Sequence, residues 1–185
     1  MSPDRNPTRH DRDSVARAAL ALLDEVGLPD LSMRRIAARL EVQPSALYWH
    51  FASKQLLLAE LADRITARVP IAESDPVACA RGIRDALLAH RDGAELVLST
   101  SALGLGSAHA ERALLRSLPE QNPERAAALL HFILGHTALV QQRMHAHSHG
   151  AASGDDDPTA GLDRVFDLGV TAIAGLSATR PRARA

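Results

Sequence analysis

Nowhere does this chain alternate polar and apolar residues for long enough to make a half-buried strand. Its apolar positions recur instead at three- and four-residue intervals, and most of them are Ala or Leu, both strong helix formers. In "DSVARAALALLDEVG", for example, Val15, Ala18, Ala19, Leu22, Leu23 and Val26 fall on one helical face. The fold class that follows is all-α. With 185 residues, 46% of them apolar, the chain can bury a core without disulfide or metal staples.

Helix-capping residues divide the pattern. Asp13 or Ser14 is placed to cap the first helix, and Gly27 to end it with a left-handed residue. Ser32 caps a short second helix, "MRRIAARL", with Ile36, Ala37 and Leu40 facing inward. "EVQ" turns the chain. Pro44 suits the first position of a third helix, "PSALYWHF", where its missing N–H needs no partner. Ser53 caps a fourth, "KQLLLAELADRITARV". Asp75 and Pro76 open a fifth, which runs to about His90 and is broken by "RDGA". "ELVLSTSALG" reads as a short helical segment or a loop, and "HAERALLRSL" as a helix. Pro123 opens a long helix through "RMHAH". "SHGAASGDDDP" reads as a polar linker, "TAGLDRVFDLGVTAIAGLSA" as a last helix apolar on more than one side, and "TRPRARA" as a basic tail.

Several function classes drop out. The net charge is −1, so any nucleic-acid site must be a local arrangement of cations. Cys79 is the single cysteine and reads as a small buried apolar residue in a reducing compartment. The polar N-terminus and the lack of a run of about 18 apolar residues predict no signal peptide, no membrane span and a cytoplasmic location. No nucleophile elbow, HExxH or glycine-rich phosphate loop is present, so no enzyme activity and no cofactor are expected.

The segment from Gln43 to Lys54, "QPSALYWHFASK", holds the only Trp, the only Tyr and the only Lys of the chain. Three short helices, the second and third joined by a tight turn, describe a helix-turn-helix unit, whose third helix enters the major groove. Small residues, Pro44, Ser45 and Ala46, then stand where the helix nears base edges. Tyr48, Trp49, His50 and Lys54 offer hydroxyl, indole, imidazole and ammonium donors to phosphate, while Leu47 and Phe51 face inward. The residues alone leave alternatives open. Tyr48 and Trp49 also read as core aromatics, and Arg34, Arg35 and Arg39 as a solvated face. "HAHSHG" with "DDD" reads as a solvated linker or as a metal-binding tract of His145, His147 and His149. His131 and His136, five apart, read as separate core or pocket residues rather than a metal pair.

"ALALLDEVGLPDLSMRRIAARLEVQPSALYWHFASKQLLL" resembles the DNA-binding domain of the TetR family of bacterial transcriptional regulators. "LYWHF" resembles its tetracycline-repressor branch in particular, as do "LLAHRDGAELVLST" and "LHFILGHTALVQQRMH" further on. The resemblance implies a homodimer with two domains. Residues 1–54 would form the helix-turn-helix domain, with the fourth helix linking on to about 69. Residues 70–185 would form a helical effector-binding and dimerisation domain, its dimer built from helices near 123–147 and 159–177.

Carried over by position, Arg34 and Gln43, Pro44, Ser45 and Ala46 are implied to face the groove of double-stranded operator DNA. Ser32, Tyr48, Trp49, His50 and Lys54 are implied to face phosphate. Tetracycline repressors carry a base-reading glutamine at the position of Pro44, so a different operator is implied. Where that branch grips a magnesium–drug complex, this chain has Pro70, Val97, Ser101 and, near the glutamate position, Val140. The implied effector is therefore a small, mostly apolar molecule held by Val97, Thr100, Ser101, Phe132 and His136, with no metal. The function expected is a repressor released from a palindromic operator by that effector. The other readings are a metal-responsive regulator using the histidine tract, and a helical small-molecule-binding protein or enzyme.

Overall fold

The computed structural model describes residues 10–69, 75–150 and 157–176. Among them it places nine helices and no strand: α1 (Arg12–Val26), α2 (Met33–Arg39), α3 (Pro44–Tyr48), α4 (Lys54–Thr66), α5 (Pro76–Leu88), α6 (Gly93–Ser101), α7 (Ala108–Ser117), α8 (Pro123–Ser148) and α9 (Leu162–Ile173). Pro70, residues 151–156 of the expected linker and the basic tail lie outside the described residues.

The caps explain most of the boundaries. Ser32, Ser53, Asp75 and Asn122 each accept a first-turn N–H of α2, α4, α5 and α8. The cap of α1 differs from the expectation. Asp11 takes it, because its carboxylate and the Ser14 hydroxyl satisfy each other's backbone N–H at 2.7 and 2.9 Å. Gly27 has the expected positive φ of 81°, though with ψ extended at 170°. The third helix is shorter than "PSALYWHF": Trp49 is its C-cap, and His50 and Phe51 donate back to the Leu47 carbonyl. The segment after "RDGA" is helix α6, which starts at Gly93 itself. The histidine tract is not a loop, since α8 continues to Ser148 and carries His145 and His147 in its last turn.

Long α8 is the axis of the C-terminal part and packs against α5, α6, α7 and α9. Its inner face buries Leu129, Leu130, Ile133, Leu134 and Val140. At the other end, α1, α2 and α3 close over Leu23, Ile36, Leu47 and Phe51, all at most 1% exposed. Helix α4 touches both parts, packing on α1 on one side and on α5, α6 and α7 on the other.

A second junction joins the two parts through "RDG". Asp92 occupies the N-cap position of α6, in left-handed backbone at φ 55°, but its side chain does not cap that helix. The carboxylate accepts instead from the Leu28 backbone N–H at 2.8 Å, in the turn after α1. Its close neighbour there is Gly27, where an added Cβ would stand 2.7 Å from Asp92 Oδ2. Gln141 of α8 supplies the missing cap. Its Oε1 accepts from Ala94 N–H at 3.1 Å, and its Nε2 donates to the His90 carbonyl at 2.7 Å and to that of Leu87 at 3.3 Å. Arg91 donates from its backbone to Asp24 and from its guanidinium to the Glu25 carbonyl, at 3.1 and 3.0 Å.

The Leu28 N–H has no other acceptor at this junction. Asp92→Ala is expected to cost about 1–3 kcal/mol, the penalty for a buried donor left unpaired, and to speed amide exchange at Leu28 more than at Leu47. Urea denaturation with hydrogen-exchange measurement checks both.

Candidate functional site

The turn that sets α3 against α2 runs from Leu40 to Gln43. Glu41 turns it in left-handed backbone at φ 56°, and Val42 N–H returns to the Ala37 carbonyl at 3.0 Å. Leu47 and Phe51 anchor α3 from below, as the sequence predicts. The Arg12 guanidinium lies over the Phe51 ring, 4.3 Å from its centroid, and donates to the His50 carbonyl at 3.1 Å. These contacts leave the outer face of α3 little freedom.

That outer face is not a core. Trp49 is 90% exposed and Tyr48 50%. Leaving a large ring in water forgoes on the order of 2 kcal/mol of burial, and this chain does so with its only tryptophan. The core-aromatic reading is overturned for both residues. Gln43 and Ser45 are exposed beside them, with Pro44, Ala46 and His50 half-buried. Lys54 starts α4 directly after the Ser53 cap.

The three arginines of α2 separate by their partners. Arg39 holds both oxygens of Glu25 at 2.7 Å, and that hydrogen bond keeps the Glu25 carboxyl below its usual range. Arg35 lies 3.4 Å from Asp30. Arg34 is exposed and has no ion pair among the described residues, so its guanidinium is free for another partner. Ser32 Oγ accepts from Arg35 N–H at 3.3 Å as the helix cap, which leaves its hydroxyl proton unassigned.

The five residues expected around an effector do not converge on one point. Val97 is fully buried. The Thr100 hydroxyl is satisfied within its own helix by the carbonyls of Leu96 and Val97. Thr100 Oγ1 also approaches Gly106, which in turn lies against Ala62 of α4. Phe132 and His136 face α9: the His136 ring centroid is 5.2 Å from Phe166 and 5.7 Å from Phe132. A Cβ at Gly169 would collide with the Phe132 ring, so only glycine admits it. The Arg84 guanidinium completes the group, 5.0 Å above Phe166.

Four buried polar atoms here have no hydrogen-bond partner: Ser101 Oγ, Arg84 Nε and both ring nitrogens of His136. Burial, then the Arg84 charge, pushes the imidazole of His136 below its ordinary pKa. The Leu162 backbone opposes that shift without reaching hydrogen-bond geometry. Neutral His136 thus offers one donor and one acceptor. His131, by contrast, is exposed on α8 rather than placed in a core or pocket.

The histidine tract is ordered by helix α8. His145 and His149 stack edge to face at 6.2 Å, and His149 Nδ1 lies 2.8 Å from the His145 carbonyl. Among the described residues no group of three or more His, Cys, Asp or Glu side chains is arranged to hold a metal. No described helix is long and apolar enough to cross a membrane. Sequence reasoning missed Asp92, Gln141 and Arg84. The "RDG" break drew attention to the first, but no local spacing links any of them to its partner.

Residues 16–61 match the family described as bacterial regulatory proteins, tetR family. The class G tetracycline repressor of Vibrio anguillarum is 32% identical, over 94% of this chain and 96% of its own. The class A repressor from transposon 1721 of Escherichia coli is 46% identical over 50% of this chain, which spans 47% of that protein's length. Among solved structures, BioQ of Mycobacterium smegmatis superposes with a TM-score of 0.77 at 35% identity, covering 91% of this chain and 99% of that one. BioQ bound to its double-stranded DNA operator superposes at 0.72, with 33% identity and coverage of 89% and 98%. An exposed aromatic recognition helix on an all-helical frame, together with these likenesses along nearly the whole chain, places this protein in the TetR family of bacterial regulatory proteins.

Proposed function

We propose that this regulator is a homodimeric repressor that grips operator DNA through α2 and α3 and lets go when a small, mostly apolar effector binds its C-terminal part. The observation that carries the DNA side is the exposure of Tyr48 and Trp49 beside the unpaired Arg34, over a buried Leu47–Phe51 anchor. Small α3 residues approach base edges, Arg34 reads a guanine, and Tyr48, Trp49, His50, Lys54 and the Ser32 hydroxyl hold phosphates. The operator-bound structure of the related BioQ supports the same partner here.

The effector side rests on Val97, Thr100, Ser101, Phe132 and His136. Apolar residues dominate, and the partnerless Ser101 Oγ, Arg84 Nε and His136 nitrogens supply the few polar handles an oriented ligand needs. An effector that favours one of two domain postures weakens DNA binding by its differential affinity for them.

The dimer reading rests on a face left open. On α8, Ala128, His131, Gly135, Leu139 and Gln142 are exposed along one stripe. On α9, Val165 and Leu168 are exposed at 51% and 70%. Two copies packed on these faces make a four-helix bundle across a two-fold axis.

Lys54→Ala is expected to lower the slope of log affinity against log salt by about 0.9, one phosphate contact. Tyr48→Ala should weaken binding by a similar factor on every sequence tested. Arg34→Ala is expected to cost about 1–3 kcal/mol of discrimination at one base pair. Fluorescence anisotropy with the promoter beside the gene, titrated in salt, separates the three; an unchanged slope in Lys54→Ala removes that residue from the interface. Leu168→Glu, on an exposed position, is expected to weaken dimerisation by about a hundredfold or more through a buried unpaired charge. Sedimentation at micromolar concentration reads the dimer and its loss.

A further inference from the structure

Between α1, α4 and α5 lies a cleft of about 490 Å³ that none of the roles above uses. Leu20, Ile65, Ala67, Ala86 and Ala89 make its apolar walls, and Asp13, Arg17, Arg64, Arg68 and His90 its polar ones. Each of three elements contributes, so the cleft spans the helix-turn-helix part, the shared helix α4 and the C-terminal part.

Its electrostatics are uneven. Arg12, Glu60, Arg64, Asp13 and Arg17 form one chain of alternating charge: Arg12–Glu60 at 2.9 Å, Glu60–Arg64 at 3.0 Å, Arg64–Asp13 at 2.7 Å, then Asp13–Arg17. Three guanidiniums meet two carboxylates, which leaves a surplus cation. Arg68, one turn beyond Arg64, has no ion pair among the described residues and adds another. His90 already has its carboxylate, Asp24 at 3.1 Å. Asp13 is the one carboxylate lining the cleft, and it is shared between two arginines. Burial would push the Glu60 carboxyl up, but the hydrogen bonds from Arg12 and Arg64 outweigh it and keep it ionised.

This surplus does not serve DNA. Arg64 stands ten residues along α4 from Lys54, about 15 Å at a rise of 1.5 Å per residue. The cleft therefore faces away from the groove-facing end of the domain.

We infer that the cleft is a second ligand site, for an amphiphilic carboxylate. Arg68 and Arg17 take the carboxylate, a planar acceptor that guanidinium binds through two parallel hydrogen bonds. The short apolar tail lies along Leu20, Ile65, Ala86 and Ala89. Because α1 and α5 form opposite walls, an occupant fixes the posture of the DNA-binding part against the rest. That effect on DNA rests on the repressor reading; the binding site does not.

Octanoate, 1-octanol and inorganic phosphate are titrated into the full-length protein, with thermal unfolding and calorimetry as readouts. Octanoate is expected to bind saturably and raise the unfolding midpoint, and neither control should do so. Arg68→Glu, on an exposed side chain, is expected to weaken octanoate at least about tenfold, while Arg116→Glu on distant α7 leaves it unchanged. Octanoate binding that survives Arg68→Glu overturns the site. Equal binding of octanol or of phosphate overturns the ligand class, and no saturable octanoate binding overturns both. Anisotropy with operator DNA, with and without octanoate, tests the consequence separately; an unchanged operator affinity overturns the coupling.

Discussion

The hydrogen bond from Leu28 N–H to Asp92 is the contact on which the two halves of this protein depend. An aspartate at a helix N-cap ordinarily satisfies its own helix. Here it reaches across to the turn that ends α1, and a glutamine from α8 takes over the cap it leaves. The exchange has a mechanical consequence. The start of α6, the end of α5, the middle of α8 and the end of α1 share one small set of hydrogen bonds. None of these elements shifts without straining another, because each donor in the set has one acceptor and little water to replace it.

Helix α4 supplies the second link, by packing rather than by hydrogen bonds. Gly106 lies against Ala62 and the Ala59 carbonyl on one side and Thr100 on the other, too close for a side chain of its own. Helices in contact through small residues transmit a displacement, since a close-packed interior has no slack to absorb it. The far end of α4 carries the charge chain that ties it to α1. A ligand that moves α6 therefore acts on the DNA-binding part through both the Asp92 bond and α4.

Much of this was legible in the sequence because it is local. Ser32, Ser53 and Asp75 announce helices by residue type, and Pro44 and Glu41 bracket a turn within four positions. The exposed face of α3 was legible because Leu47 and Phe51, four apart, claim the inner side and leave Tyr48 and Trp49 outside. The junction was not. Leu28 and Asp92 are 64 residues apart, and Ala94 and Gln141 are 47 apart, so no periodicity connects them. The histidine tract misled for a different reason. Its small and polar composition suits a linker, yet a helix already 22 residues long at Met144 propagates through poor formers at little further cost.

The effector region shows where the family resemblance stops carrying information. Two positions implied to grip a metal-bound drug in the tetracycline-repressor branch hold Val97 and Val140 here, both at most 2% exposed and packed in the core. Apolar residues at those positions keep the core dry, so they select against any ligand that brings a hydrated cation. The polarity that remains sits elsewhere, on Ser101, Arg84 and His136, in atoms that burial has left without partners. Each such atom costs about 1–3 kcal/mol in the unliganded protein. A ligand that pairs with them recovers part of that cost only in the posture where they line its site. The unpaired groups therefore give the repressor reading its energetic lever: they favour the liganded posture over the empty one without adding contacts to the operator.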